Sequence, residues 1–394
     1  MTTPYQFILI DGDEKRAKSA KLLKQIRSTL KSKIKDLGLD PDREVKFLLS
    51  SDIALIDQRG PIVAVYFGAK NQNKKITAVV DDLCSKGIFV LPVVQDLNKV
   101  SKLIPNVLQD VNVLCLEAKD RKMDAVASRL LEELRLLRSR RLVFISYKRS
   151  DSRTLAVQLY QALDERTFDV FLDTHSVDRG AKFQPMLWDN MGDSDLVILL
   201  DTPNAFSSTW VEQEISRAHA LGLGILQIVW PGHTRMLGTH LCSVLYLENS
   251  DFIGGKPSSS ALLKPAKLAE IAILAESLRA RSMAARRSRI IGELCRSASS
   301  LGIAALPHVM GPVIIKHPKK GAIVVLPIVG HPDSNLIHET FETNKKYKGL
   351  LRKRSILIYD PLGMLPKKQG HLYWLNDFLP IKTIPVTGVE KWLK

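Results

Sequence analysis

Val143-Phe-Ile-Ser-Tyr-Lys-Arg-Ser-Asp151 and, about sixty residues further on, Ser207-Ser-Thr-Trp-Val-Glu-Gln-Glu-Ile215 decide how this chain is read. The first is a short apolar, β-branched run that stops at Ser146, which marks a buried strand opening into a polar loop. The second is a helical stretch in which Trp210 and Glu214 stand four residues apart and share a face. A carboxylate behind an aromatic at helical spacing is a candidate catalytic group. Glu212, two residues away, points off that stripe.

Working outward, the same alternation continues on both sides. Leu142–Ser146, Val170–Asp173, Leu196–Leu200 and Ile225–Trp230 read as strands. Helices are predicted over Arg153–Asp164, Phe183–Met191 and Val211–Leu221, with a polar loop from Asp173 to Gly180. Continuous apolar strands separated by helices predict a flavodoxin-like, five-stranded parallel sheet. In such a sheet, ligands bind outside the carboxyl ends of the strands. Ser146, Tyr147, Lys148 and Arg149, the segment Asp173–Lys182, and Ser207, Ser208 and Trp210 all fall there.

Residues 5 to 120 show the same rhythm, with apolar runs at Phe7–Ile10, Val45–Leu49, Ile62–Tyr66, Ile88–Val94 and Val111–Leu116, a Lys-rich helix after the first run and a helix over Lys74–Ser85. A doubly wound α/β domain follows. Asp11-Gly-Asp13 after its first strand reads either as an acidic pocket or as a helix cap. A helix from Met123 to Arg138, with Leu130, Leu131, Leu134 and Leu137 on one stripe, closes it. Beyond Tyr246, the Gly/Pro/Ser-rich Gly254–Ser260 reads as a linker, and Pro265–Ser300 as a long helix. Ala322–Ile328 and Ser355–Tyr359 then predict a small α/β unit of about three strands. The expected division is 1–138, 139–252, 253–300 (linker and long helix) and 301–394.

With 394 residues, 45% of them hydrophobic and 25% charged, the chain has the composition of a multidomain globular protein. Its N-terminus lacks a basic segment ahead of an apolar run, and no stretch is apolar for about 18 residues, so neither a signal peptide nor a membrane span is expected. Four scattered cysteines, with no Cys-x-x-Cys pair, fit reduced thiols in a cytoplasmic protein. The net charge of +16 gathers on the helix around Lys15–Lys35 and on Arg279, Arg281, Arg286, Arg287, Arg289 and Arg296. These stretches read either as solvated helix faces or as contacts with nucleic acid or with nucleotide phosphates. His338-Glu-Thr-Phe-Glu342 lacks the second histidine of a zinc-protease helix. No Gly-rich phosphate loop occurs either.

Val143–Tyr147, Val170–Asp173, Asp178-Arg-Gly-Ala-Lys-Phe183, Ser194–Leu200 and Ser208–Ala218, in that order, resemble the successive boxes of a Toll/interleukin-1 receptor (TIR) domain, over residues 140 to 250. Some members of that family are interaction modules. Others cleave the nicotinamide–ribose bond of NAD⁺ with a glutamate on the helix after the third strand. The resemblance implies that Glu214, in a Trp-x-x-x-Glu frame, is that glutamate. It further implies NAD⁺ as substrate rather than cofactor, no metal, and contacts from Ser146, Tyr147, Lys148, Arg149, Asp173, Lys182, Phe183 and Trp210. An antiphage or cell-death effector activated by self-association is the implied setting, with the loop over 174 to 182 reaching the next copy and filaments as one outcome. The other reading is a non-catalytic TIR scaffold or adaptor that binds protein or nucleic acid. Lysines and arginines at Lys316–Lys320 and Lys345–Arg354 add the expectation of a nucleotide second messenger bound by the last unit.

Overall fold

The computed structural model describes residues 5–13, 17–57, 60–70, 72–116, 123–134, 136–172, 184–205, 209–236, 239–308, 312–346 and 355–394; the side chains of 17–19, 184, 209–210 and 343–346 are outside that description. The chain divides into two compact units, Met1–Ser139 and Arg140–Lys394.

In the first unit, the elements in order are β1 Tyr5–Asp11, α1 Ala17–Asp36, β2 Val45–Leu49, β3 Ile62–Phe67, α2 Lys74–Ser85, β4 Val90–Val94, α3 Val100–Leu103, β5 Leu114–Cys115 and α4 Met123–Glu133. The strands form one sheet in the order β2-β1-β3-β4-β5, every pair parallel. β1 and β4 are buried along their whole length, which explains their unbroken apolar runs: helices cover both faces, so neither side of the strand meets water. Asn73 caps α2, its side-chain oxygen accepting from Lys75 N at 2.9 Å. That helix sets Ile76, Val80 and Leu83 into the core with Ile8, Ile10 and Tyr66.

The second unit begins with β6 Leu142–Ser146, α5 Arg149–Asp164, β7 Asp169–Leu172, α6 Gln184–Asp193, β8 Leu196–Asp201, α7 Thr209–Ala220, β9 Gly224–Val229, β10 Ser243–Tyr246 and α8 Pro265–Ser300. Its strands lie in the order β10-β9-β8-β6-β7 and are all parallel, as the alternation predicts. Side chains alternate across the sheet. Val143 and Ile145 of β6, with Ile198 and Leu200 of β8, pack under α5 and the first half of α8. Phe144, Val197, Leu199 and Ile225 pack under α6 and α7, against Leu187, Met191, Val211 and Ile215. The first half of α8 is therefore a covering helix of this sheet rather than an exposed connector.

The arginines of α8 change their meaning in the structure. Arg279 and Asp195 are both 0% exposed and pair at 2.8 Å. Arg141 pairs with Glu276 at 2.7 Å, both nearly sealed from solvent. Arg286 donates to the carbonyls of Ser194 and Gly192 at 2.8 and 3.1 Å, and Ser282 Oγ accepts from Gly224 N at 2.9 Å. These groups clasp the residues that lead into β6, β8 and β9, so Arg279 and Arg286 are internal ties, not a face for nucleic acid.

After α8 come β11 Ala304–Pro307, β12 Val313–His317, β13 Gly321–Ile328, α9 Ser334–Lys346, β14 Ser355–Tyr359, α10 Pro366–Phe378, β15 Lys382–Pro385 and α11 Val389–Leu393. They form a third sheet of five strands, not three, ordered β11-β12-β13-β14-β15. β11, β12 and β13 are antiparallel neighbours, and β14 and β15 run parallel to β13. The additional strands are short; β11 is half exposed, and β15 carries Lys382 and Pro385, so no apolar run announces either. Ile290, Leu294 and Ala298 of α8 lie against one face of this sheet. One helix thus serves both sheets of the unit. α6 is held from the same side: Asp189 accepts from Leu365 N at 2.9 Å and pairs with Lys368, and Asp193 accepts from His331 N at 2.8 Å.

Candidate active site

A chain path ordered β7-β6-β8-β9-β10 reverses between β6 and β8, and the crevice at their carboxyl ends is where open α/β sheets bind ligands. Ser146 is the last residue of β6, in register with Leu199 of β8. Because Phe144 faces α6 and α7, Ser146, two residues on, faces them as well. α7 passes over this face with Val211, Glu214, Ile215 and Ala218 turned inward. Ser146 Oγ donates to Glu214 Oε2 at 2.5 Å. Ser146 is 0% and Glu214 1% exposed, whereas Glu212 is exposed. Carboxylates are almost never this deeply buried without a partner or a task.

The remaining residues expected at the site are distributed unevenly. Tyr147, one residue past Ser146, turns to the opposite face and packs in the core with Leu155 and Trp230. Lys148 Nζ donates to Asn204 O at 3.1 Å, joining the loop after β6 to the loop after β8. Arg149 begins α5 and is partly exposed. Asp173, Lys182, Phe183 and the side chain of Trp210 lie outside the described residues, as does the loop over 174 to 182. Asp11 of the first unit accepts from Asp13 N at 2.9 Å, closing a tight local turn at the end of β1.

A polar network on the same sheet face was not anticipated. Gln227 of β9 is in register with Leu199 of β8, itself in register with Ser146, so it stands two strands from Ser146 at the same level. It donates to Asp201 Oδ2 at 2.7 Å, and Asp201 Oδ1 lies 3.0 Å from His233 Nε2. Arg235 Nε donates to Gln227 Oε1 at 2.9 Å and to Thr239 Oγ1 at 3.0 Å. Asp201 and Gln227 are both 0% exposed. A signal for it existed, since Gln227 interrupts the otherwise apolar run Ile225–Val229. A polar residue inside a buried strand needs a partner.

Electrostatics at the rim follow from hydrogen bonding and burial. Burial alone would raise the pKa of Asp151, but donation from Ser150, Thr202 and Asn204 and the charge of Lys148 outweigh it, so its carboxyl is held below the usual aspartate value. Thr202 Oγ1 reaches Asp151 Oδ2 at 3.0 Å. Burial and the neighbouring His240 lower His219, and burial pushes the Cys242 thiol up to about 11. Arg217, one turn after Glu214, lies over the Trp188 ring at 4.4 Å and locks α7 to α6. Among the described residues no group of three or more His, Cys, Asp or Glu is placed to hold a metal ion. None of their helices is long and apolar enough to cross a membrane.

No curated protein matches the chain in sequence. Among solved structures it is similar to a fatty acid ABC transporter substrate-binding protein from Thermomonospora curvata, with 13% identity over 85% of this chain and 94% of that one and a TM-score of 0.20. It is also similar to the C-terminal domain of glucosamine-fructose-6-phosphate aminotransferase from Francisella tularensis, with 8% identity over 71% and 84% and a TM-score of 0.20. Neither fold nor function is taken from scores of that size. The family model described as TIR domain matches residues 143–231, from the start of β6 to the end of β9, a span that includes both Ser146 and Glu214. Residues 143–231 of this chain are a TIR domain.

Proposed function

We propose that the TIR domain is an NAD⁺ glycohydrolase in which Glu214 is the catalytic residue. The observation that carries this reading is the sealed Ser146–Glu214 pair at the switch point of the sheet. Nicotinamide leaves NAD⁺ as a neutral molecule and takes no proton, so the reaction has no need of a general acid. What must be stabilised is the cationic, oxocarbenium-like ribosyl centre that forms as the bond breaks. One fixed carboxylate performs that task, and it performs it best where water is excluded. Ordinary glycosidases carry two carboxylates because their leaving group must be protonated. Ser146 fixes the orientation of the carboxylate by donating to one of its oxygens. Lys148 and Arg149 stand at the strand ends, where the diphosphate would lie.

The proposal extends to control. A NAD⁺-consuming enzyme must be held inactive until needed, and completion of the site by self-association through the loop over 174 to 182 supplies that control. An antiviral or cell-death role would follow, with the remaining parts of the chain acting in sensing or assembly. The test is direct: purified full-length protein, alone and under crowding that promotes assembly, is incubated with NAD⁺, and nicotinamide and ADP-ribose forms are separated by chromatography and identified by mass. Nicotinamide release that disappears in Glu214→Ala is expected. No release under any condition, or equal release by the variant, would remove the catalytic reading and leave the non-catalytic scaffold in its place.

A further inference from the structure

The third sheet carries a cavity of about 470 Å³ at the carboxyl ends of β14 and β15, the place where a parallel sheet binds its ligands. It is lined by Arg289 and Glu293 of α8 and by Asp360, Gln369, Tyr373 and Thr387. The volume lies in the lower part of the usual range of about 300–1,000 Å³ for small-molecule sites. We infer that this cavity is a binding site for a nucleoside, a sugar-linked base without a polyphosphate.

Charge decides against the phosphorylated alternative. Both carboxylates of the lining already have a guanidinium partner: Asp360 pairs with Arg289, and Glu293 with Arg296 at 3.1 Å. A triphosphate or a cyclic dinucleotide would bring two or more negative charges to a wall whose lining guanidinium, among the described residues, is already paired. None of Lys316, Lys319 and Lys320 lines the cavity; Lys320 instead donates to Trp392 O at 2.6 Å. The groups present suit neutral donors. A carboxylate accepts from vicinal ribose hydroxyls or from an exocyclic amine, and Gln369 both donates and accepts. Tyr373 is half exposed, and it faces the cavity together with Pro361 and Pro385, rigid apolar surfaces against which a flat base can lie.

The position gives such a ligand a route to the TIR domain. Arg289 Nη2 lies 3.5 Å from Leu221 O, at the end of the helix that carries Glu214. Gly363, with φ +87°, approaches so closely that a Cβ there would stand 3.2 Å from Leu221 Cδ2 and 3.3 Å from Gly192 Cα. The binding claim does not depend on the NAD⁺ reading.

Full-length protein is titrated with adenosine, guanosine, cytidine and uridine, with ribose and ATP as comparisons, and binding is read from melting temperature and calorimetry. Saturable binding of at least one nucleoside is expected, with both ribose and ATP at least about tenfold weaker. Thr387→Trp, an exposed wall residue, fills the cavity and abolishes binding without touching the core. Asp360→Asn weakens binding about tenfold or more while keeping an acceptor for Leu362 N, which donates to Asp360 Oδ1 at 3.0 Å. Glu214→Ala leaves binding intact, which separates this site from the TIR crevice. The inference is overturned if no nucleoside binds at millimolar concentration, if ATP or ribose binds as well as the nucleoside, or if Thr387→Trp binds normally.

Discussion

Replacing Glu214 with glutamine removes one charge and almost nothing else. The amide keeps the shape of the carboxylate and an oxygen to accept from Ser146 Oγ, which donates at 2.5 Å in the native site. A unit charge about 4 Å from a developing cation is worth ~4 kcal/mol at an effective dielectric constant of about 20, a suitable value even for a sealed position. That free energy corresponds to a factor of about 10³ in rate. Glu214 is 1% exposed, so solvent cannot stand in for the lost charge. Folding should change little, by about 1 kcal/mol in either direction, because one hydrogen-bonded polar group replaces another. Nicotinamide release measured at saturating NAD⁺ should therefore fall about 10³-fold in Glu214→Gln, with melting within a few degrees of the wild type. A glutamine variant that retains a tenth or more of the rate would refute the electrostatic role assigned to this residue, whatever its stability.

Three further perturbations test the packing and the charges around the site. Breaking the Arg279–Asp195 pair by Arg279→Met strands a buried carboxylate and should cost about 3–5 kcal/mol, whereas Arg279→Met with Asp195→Leu should recover much of it; chemical denaturation of the four proteins in the cycle checks this, and equal losses in single and double variants would contradict it. Asp151 has a folded pKa below its unfolded value, so its contribution to stability is present above about pH 3.9 and is lost as pH falls through the folded value. Thr202→Val removes one of the donors that hold it down, and a carboxyl NMR titration should show the Asp151 pKa rising, with no movement counting against the assignment. His219 has a folded pKa below its ordinary 6.5, so the stability it lends is present above that pH and declines as pH falls below it; His219→Gln should flatten the melting-temperature profile between about pH 7 and pH 5.

Much of the fold was legible because most strands of both parallel sheets are largely apolar runs and their helices are amphipathic. α2 and α8 end where periodicity places them, at Lys74–Ser85 and Pro265–Ser300. The third sheet was only half legible, since antiparallel strands of four or five residues that are partly exposed carry little pattern. Charge was misleading for α8: Arg279 and Glu276 look like surface residues in the sequence, and only packing reveals that their partners, Asp195 and Arg141, lie far away along the chain. Within the site, Ser146 and Glu214 could be read from a strand end and a helical spacing. Gln227 stood out as a polar residue in an apolar strand, but its partners could not be read, because only the packing of the neighbouring strand and the loop after β9 brings Asp201 and His233 to it.

The two parallel sheets allow one last comparison, which isolates what the fold does not decide. Both have the order 2-1-3-4-5, and in each a helix follows the third strand. Counted from Lys74 and Thr209, the inward positions coincide: Ile76, Val79, Val80 and Leu83 in α2, and Val211, Glu214, Ile215 and Ala218 in α7. The scaffold is the same, and the sixth residue is valine in one helix and glutamate in the other. The first strands differ as well, ending in Asp11 and in Ser146. A serine can donate to a carboxylate, and an ionised aspartate cannot. Val79→Glu should therefore neither create activity nor restore it in a Glu214→Ala background; because Val79 is only partly buried, the new carboxylate can reach water and the cost in stability should be about 1 kcal/mol. Nicotinamide release by the double variant decides the matter: release there would mean that a carboxylate at this position of the scaffold acts without a serine to orient it, and its absence leaves the Ser146–Glu214 pair as the difference between the two sheets.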